Sequence, residues 1–138
     1  MISLIEIALS QYGEKEISGP VNNRTIVNYA QEAGFKWVNN DETPWCSIFA
    51  NWVAIIAGLP RSGKADARSW LNVGTEVQDP LMGDIVVFRR GSSAWEGHVA
   101  FYINEVDDFI NVLGGNQSDQ VKISAYNKSN LLGYRRLT

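Results

Sequence analysis

The sequence holds one cysteine and one histidine among 138 residues. A single cysteine excludes an internal disulfide. One cysteine with one histidine also excludes a zinc-finger ligand cluster. Positive charge is in short supply as well: 12 Lys and Arg against 15 Asp and Glu leave a net charge of −3. With no basic surplus to follow a phosphate backbone, no nucleic-acid partner is expected. No apolar run approaches the roughly 18 residues of a membrane span, so no membrane insertion is expected. The N-terminal stretch MISLIEIALSQYGEKE has no basic n-region and carries Glu6 within its apolar part. It reads as a helix rather than a Sec signal, so synthesis in the cytoplasm without such a signal is expected.

What is present suffices for a core. Apolar residues make up 45% and aromatics 11%, with five tryptophans. Disordered and low-complexity classes are thereby excluded. The length suits a single domain over residues 1–138, expected as a monomer, that buries about two-thirds of its unfolded surface.

Leu4, Ile5, Ala8, Leu9 and Tyr12 recur at helical spacing and Gly13 ends the pattern. A second helix, capped by Asn22 or Asn23, carries Ile26, Val27, Tyr29, Ala30 and Ala33 and stops at Gly34. A third follows in TPWCSIFANWVAIIAGLP, where Thr43 suits an N-cap, Pro44 the first helical position, and Gly58 with Pro60 the end. Its only polar strip is Ser47 with Asn51, so it is expected to be central and buried. A short helical turn is expected near Ala65–Leu71. After Pro80 the pattern changes to five short strands, at Asp84–Arg90, His98–Asn104, Asp108–Leu113, Gln120–Tyr126 and Gly133–Leu137. Helices followed by strands predict an α+β domain with an antiparallel sheet of about five strands.

The scarce residues fall at informative places. With Thr43 as N-cap, Cys46 is the third residue of a helix, beside unpaired N–H groups and the positive dipole end. Both favour the thiolate, the form that attacks, and the same N–H groups suit an oxyanion. A lone Cys beside Trp in an apolar helix is more often a small core residue. His98 opens an apolar strand after a glycine. If the following turn centres on Asp107, Tyr102 faces Val112, Ala100 faces Gly114 and His98 faces Asn116. Ala100, Gly114 and Gly115 then leave room for the small stripe Cys46, Ala50, Val53, Ala54 and Ala57. That packing brings Cys46 toward His98, with Asn116 orienting the imidazole, which is the logic of acyl transfer.

The ordered segments TPWCSIFANWV, ARSWLNVG, GDIVVFRRG, GHVAFYI, VLGGNQSDQV and LLGYRRL resemble CHAP domains. These are cysteine, histidine-dependent amidohydrolases/peptidases of the papain-like, NlpC-related superfamily, and the likeness is strongest to small phage and bacterial proteins with PWC, SW and GGNQ motifs. The resemblance implies a papain-like core and a peptidoglycan hydrolase. It would cut a stem-peptide bond or the N-acetylmuramoyl-L-alanine amide, with Cys46 as nucleophile, His98 as base and Asn116 as orienter. Many relatives carry Glu two residues before that Asn. Here the position is Gly114, which leaves Asn116 or Gln117 to orient the base. No cofactor is implied, and Asp41-Glu42 is too small an acidic cluster for calcium.

Trp45, Trp70 and Trp95 are candidates to line a groove with Ser69 and Gln117. Arg68 beside Ser69 is a weaker candidate for a substrate carboxylate. Arg89-Arg90 and Arg135-Arg136 read as edge-strand charges, and Asp66 and Asp119 as turn residues. Action on the cell wall or periplasm would require delivery, as a phage lysin released with a holin or as an effector of a secretion machine with an immunity protein. The competing readings are an acyltransferase or deamidase with the same triad, and a non-catalytic wall-binding or phage structural module.

Overall fold

A computed structural model describes residues 3–17, 22–38 and 45–138. Among the described residues, three α-helices precede a six-stranded sheet. Helix α1, Leu4–Leu9, is capped by Ser3, whose hydroxyl accepts from the Glu6 N–H. Helix α2, Arg24–Glu32, is capped by Asn23, whose Oδ1 accepts from the N–H groups of Thr25 and Ile26. Helix α3, Cys46–Ala57, ends on Gly58, which takes the left-handed conformation at φ 71°. Thr43 and Pro44 lie outside the described residues. Trp45 is the N-cap, so Cys46 is the first helical residue rather than the third.

The 3-10 helix η1, Ala67–Asn72, supplies the expected helical turn. The strands are β1 Thr75–Val77, β2 Ile85–Arg89, β3 Gly97–Val106, β4 Phe109–Gln117, β5 Gln120–Asn127 and β6 Leu131–Arg136, with the short 3-10 helix η2, Lys128–Asn130, before the last. All pairings are antiparallel, in the order β1-β6-β2-β3-β4-β5. The five expected strands are present, and the short β1 adds a sixth.

That order corrects the reading of the arginine pairs. Strands β2 and β6 are interior, so neither pair is an edge charge. Arg135 donates to the Val73 and Gly74 carbonyls, and Arg136 forks onto both Asp84 oxygens. Residues 13–16 run along β5 and exchange backbone hydrogen bonds with Asp119 and Val121, which covers that edge.

Alternate strand residues face opposite ways. Ile85, Val87, Val99, Phe101 and Leu113 pack with α1, α2 and α3 in the main core. Val86, Phe88, Ala100, Ile110 and Val112 form a second buried cluster, closed by Tyr102, Tyr126, Leu131 and Tyr134. No helix belongs to that cluster among the described residues. The sheet therefore curls to bury its own second face. Tyr126 on β5 stacks on Phe88 of β2, with ring centres 4.9 Å apart, across two intervening strands.

Candidate active site

Three features seat the start of α3. Ser47 donates to the Lys64 carbonyl at 2.7 Å and accepts from Trp70 Nε1 at 2.9 Å. Asn51 accepts from the Gly63 N–H and donates to the Lys64 carbonyl and Ser62. The polar strip of α3 thus pins residues 62–64, just before the cleft residues Ala65 and Asp66. On the other side Gly115 lets the helix approach β4. A Cβ there would lie 2.7 Å from the Trp45 ring and 2.8 Å from Phe49 Cβ.

The expected small patch splits between the two faces. Gly115 meets the helix, whereas Ala100 and Gly114 pack on each other within the second cluster. A Cβ on Gly114 would sit 2.7 Å from Ala100 and 2.9 Å from Gln117 Oε1. The missing side chain at 114 is therefore the space that the Gln117 amide occupies.

The hairpin register holds where Tyr102 pairs with Val112, but β4 changes register between Gly114 and Gln117. Asn116 is in the left-handed region at φ 58°, a conformation Asn tolerates. The irregularity inserts a residue and exchanges faces beyond it. As a result Gln117, not Asn116, meets the histidine: His98 Nε2 and Gln117 Oε1 are 2.9 Å apart. Asn116 turns toward Cys46 and lines the cleft instead.

The orientation of Gln117 follows from its other bonds. Its Nε2 donates to the Lys122 carbonyl at 2.6 Å and toward the Val112 carbonyl at 3.3 Å. Its Oε1 is left to accept, so His98 Nε2 carries a proton in either charge state, and in the neutral ring Nδ1 is the bare nitrogen. Nδ1 is buried with no hydrogen-bond partner, and the Cys46 thiol lies close enough for His98 to act on its titration. Tyr126 stacks on the imidazole, with centroids 5.0 Å apart and planes 26° from parallel.

The thiol environment is a contest. Burial pushes the Cys46 thiol up, but the hydrogen bond and charge of His98, a backbone hydrogen bond from Val99 and the Arg90 guanidinium outweigh it and hold it below the ordinary thiol value. Burial also pushes the Tyr126 phenol up, aided by the Cys46 charge.

Cys46 opens into a cleft of about 350 Å³ lined by Ala65, Asp66, Ala67, Arg90, Trp95, Glu96, Gly97 and Asn116. Of the three tryptophan candidates only Trp95 is there, and it is 73% exposed. Trp45 and Trp70 are fully buried, with their indole N–H groups on Glu16 and Ser47. Ser69 donates to the Asp66 carbonyl and lies off the cleft. Arg68 is committed to the Ser93 and Glu96 carbonyls, where it anchors the Trp95 loop. Asp66 stands at the N-cap position of η1 without a side-chain capping bond and lines the cleft, and Asp119 sits in the β4–β5 turn. Tyr126 and Arg90 carried no signal in the sequence, because only the curl of the sheet and the end of β2 bring them to the thiol. Among the described residues no group of His, Cys, Asp and Glu is arranged to hold a metal ion.

A thiol on the first turn of a buried helix, set against a histidine on an antiparallel sheet, defines the papain-like class of α+β folds. A solved structure from Staphylococcus aureus subsp. aureus Mu50, described as similar to a lipoprotein of the NLP/P60 family, has this fold. It aligns at a TM-score of 0.54 and 20% identity over 96% of this chain and 39% of its own length. The chain thus spans well under half of that protein. No curated protein matches the sequence. Residues 37–116 match the CHAP domain, and the chain belongs to that family. Family and fold agree on a papain-like core that carries a cysteine and a histidine.

Proposed function

We propose that the protein hydrolyses an amide bond of peptidoglycan through a thioester on Cys46, and so acts in the cell wall or periplasm. The observation that carries this reading is the fixed Gln117 amide. By accepting from His98 Nε2 at 2.9 Å it leaves Nδ1, which has no other hydrogen-bond partner, free to take a proton from the thiol. His98 Nδ1 takes the thiol proton, and Sγ attacks the amide carbonyl carbon. Charge develops on the carbonyl oxygen beside the first-turn N–H groups of α3, whose first intrahelical bond runs only from the Phe49 N–H to the Trp45 carbonyl. His98 then gives its proton to the leaving amine as the C–N bond breaks. Water, deprotonated by His98, hydrolyses the thioester and releases the acid. Gln117 is the orienter, and Asn116 is a polar contact for substrate in the cleft.

The test is digestion of purified sacculi. The wild-type protein is expected to release soluble muropeptides, and Cys46→Ala to release none while keeping the wild-type circular dichroism spectrum. The chain has no second thiol to substitute. Equal release by both proteins, or none by either across several wall types, overturns the reading. The masses of the products separate a stem-peptide endopeptidase from an N-acetylmuramoyl-L-alanine amidase.

A further inference from the structure

The cleft carries a cation that acts on the thiol only through its charge and has no hydrogen-bond or ion-pair partner of its own among the described residues. Arg90 follows the last residue of β2 and is exposed at the cleft wall beside Cys46. Other arginines around it are committed: Arg68 to the Ser93 and Glu96 carbonyls, Arg89 to Asn130, Arg135 to the Val73 and Gly74 carbonyls, and Arg136 to Asp84. Arg90 forms no hydrogen bond or ion pair with another described residue. A guanidinium in a concave site offers a planar fork that matches a carboxylate. Asp66 and Glu96 lie on the same cleft and repel an anion, so Arg90 is where a negative group gains most.

We propose that Arg90 is an anion subsite that seats a carboxylate of the substrate beside the amide attacked by Cys46. The identity of the occupant rests on the hydrolase reading above, whereas the subsite rests on the cleft alone. A substrate whose carboxylate is masked loses this contact. Arg90 therefore selects for peptides with a free carboxylate close to the scissile bond.

The lone thiol makes the subsite measurable without any peptidoglycan. Iodoacetate and iodoacetamide react alike: Sγ attacks the methylene carbon, an S–C bond forms and iodide leaves. They differ in that one carries a carboxylate and the other a neutral amide. The ratio of their rates at Cys46, divided by the same ratio for glutathione, cancels any change in thiolate fraction. The wild-type ratio should exceed that of glutathione and fall with added salt. Arg90→Gln should lower it on the order of threefold to tenfold, and Arg90→Lys should keep most of it. A ratio unmoved by Arg90→Gln overturns the subsite. If Arg90→Gln does not fold, a wild-type ratio no higher than that of glutathione, or insensitive to salt, overturns it equally. A second arm uses sacculi whose carboxylates have been converted to amides. The wild-type protein should digest them more slowly than native sacculi, and Arg90→Gln should not discriminate. Equal digestion of both by the wild type overturns the carboxylate as occupant. A responsive alkylation ratio with no digestion of any sacculus would leave the anion subsite standing and overturn the hydrolase reading instead.

Discussion

The imidazole of His98 is held on two sides, by the Gln117 amide at Nε2 and by the Tyr126 ring across its face. Of these the Gln117 bond sets the tautomer. Replacing Gln117 by Ala frees the ring to carry its proton on Nδ1, and it also leaves the Val112 and Lys122 carbonyls without this donor. Turnover of sacculi by Gln117→Ala should fall on the order of a hundredfold or more, in the range seen when the orienting member of a triad is lost. Asn116→Ala should fall less, because its side chain faces the cleft and makes no bond to the ring. Equal losses in the two variants, or a greater loss in Asn116→Ala, would count against Gln117 as orienter. The GGNQ segment made both residues visible as candidates, and the hairpin register pointed to Asn116 by strict alternation. Alternation fails here because the backbone at Asn116, φ 58°, inserts a residue before Gln117. Such a bulge leaves little trace in composition, so the partner of His98 was not legible although the Cys–His pair was. Likewise Trp45 and Trp70 gave no sign in sequence that they would be buried while Trp95 stayed in the cleft. A tryptophan fits a core and a groove equally well until its neighbours are known.

At the scale of elements, the approach of α3 to β4 decides whether these side chains meet. Gly115 is a point of close approach, where a Cβ would meet the Trp45 ring and Phe49. Gly115→Ala forces the helix start away from the strand, or the indole out of its site, at a cost typical of overpacking, about 1–3 kcal/mol. Urea unfolding should show the midpoint lowered, with Cys46 alkylation slowed in the folded protein as the thiol moves off His98. A variant with wild-type midpoint and wild-type alkylation rate would show that the contact is slack. The helices were legible because their caps and stops are local chemistry: Asn23 before α2, Gly34 after it, Gly58 after α3. The strands after Pro80 were legible from alternation and polar breaks. Strand β1 was not, since three residues, mostly exposed, carry too little pattern to separate from loop. Nor was the order of strands. The insertion of β6 between β1 and β2 is a long-range pairing, and it makes Arg135 and Arg136, read as edge charges, into ties to the Val73 and Gly74 carbonyls and to Asp84.

At the scale of the whole molecule, the thiol is linked to folding itself. Cys46, His98, Gln117, Tyr126 and Arg90 come from α3, β3, β4, β5 and the end of β2, so the environment that favours the thiolate exists only when helix and sheet are both assembled. An unfolded chain titrates its thiol near the free value of about 8.5. The folded protein titrates it lower, because His98, Val99 and Arg90 together outweigh burial. Where the imidazole is neutral in both states, the unfolded chain between those two values holds a proton that the native state has lost, so stability rises with pH there, by at most about 1.4 kcal/mol per pH unit for one proton. The contribution is complete above the unfolded value and is lost as pH falls through the folded one. Cys46→Ser removes the titrating group and keeps nearly the same volume. Urea unfolding of both proteins between pH 6 and pH 9 isolates the linkage: the stability of the wild type relative to Cys46→Ser should climb with pH and level off above the free-thiol range. A relative stability that stays flat, or that declines as pH rises, would mean that burial prevails over the partners and that the folded protein keeps its thiol protonated. The thioester route would then lose the activated nucleophile on which it depends, whatever the geometry of the surrounding residues.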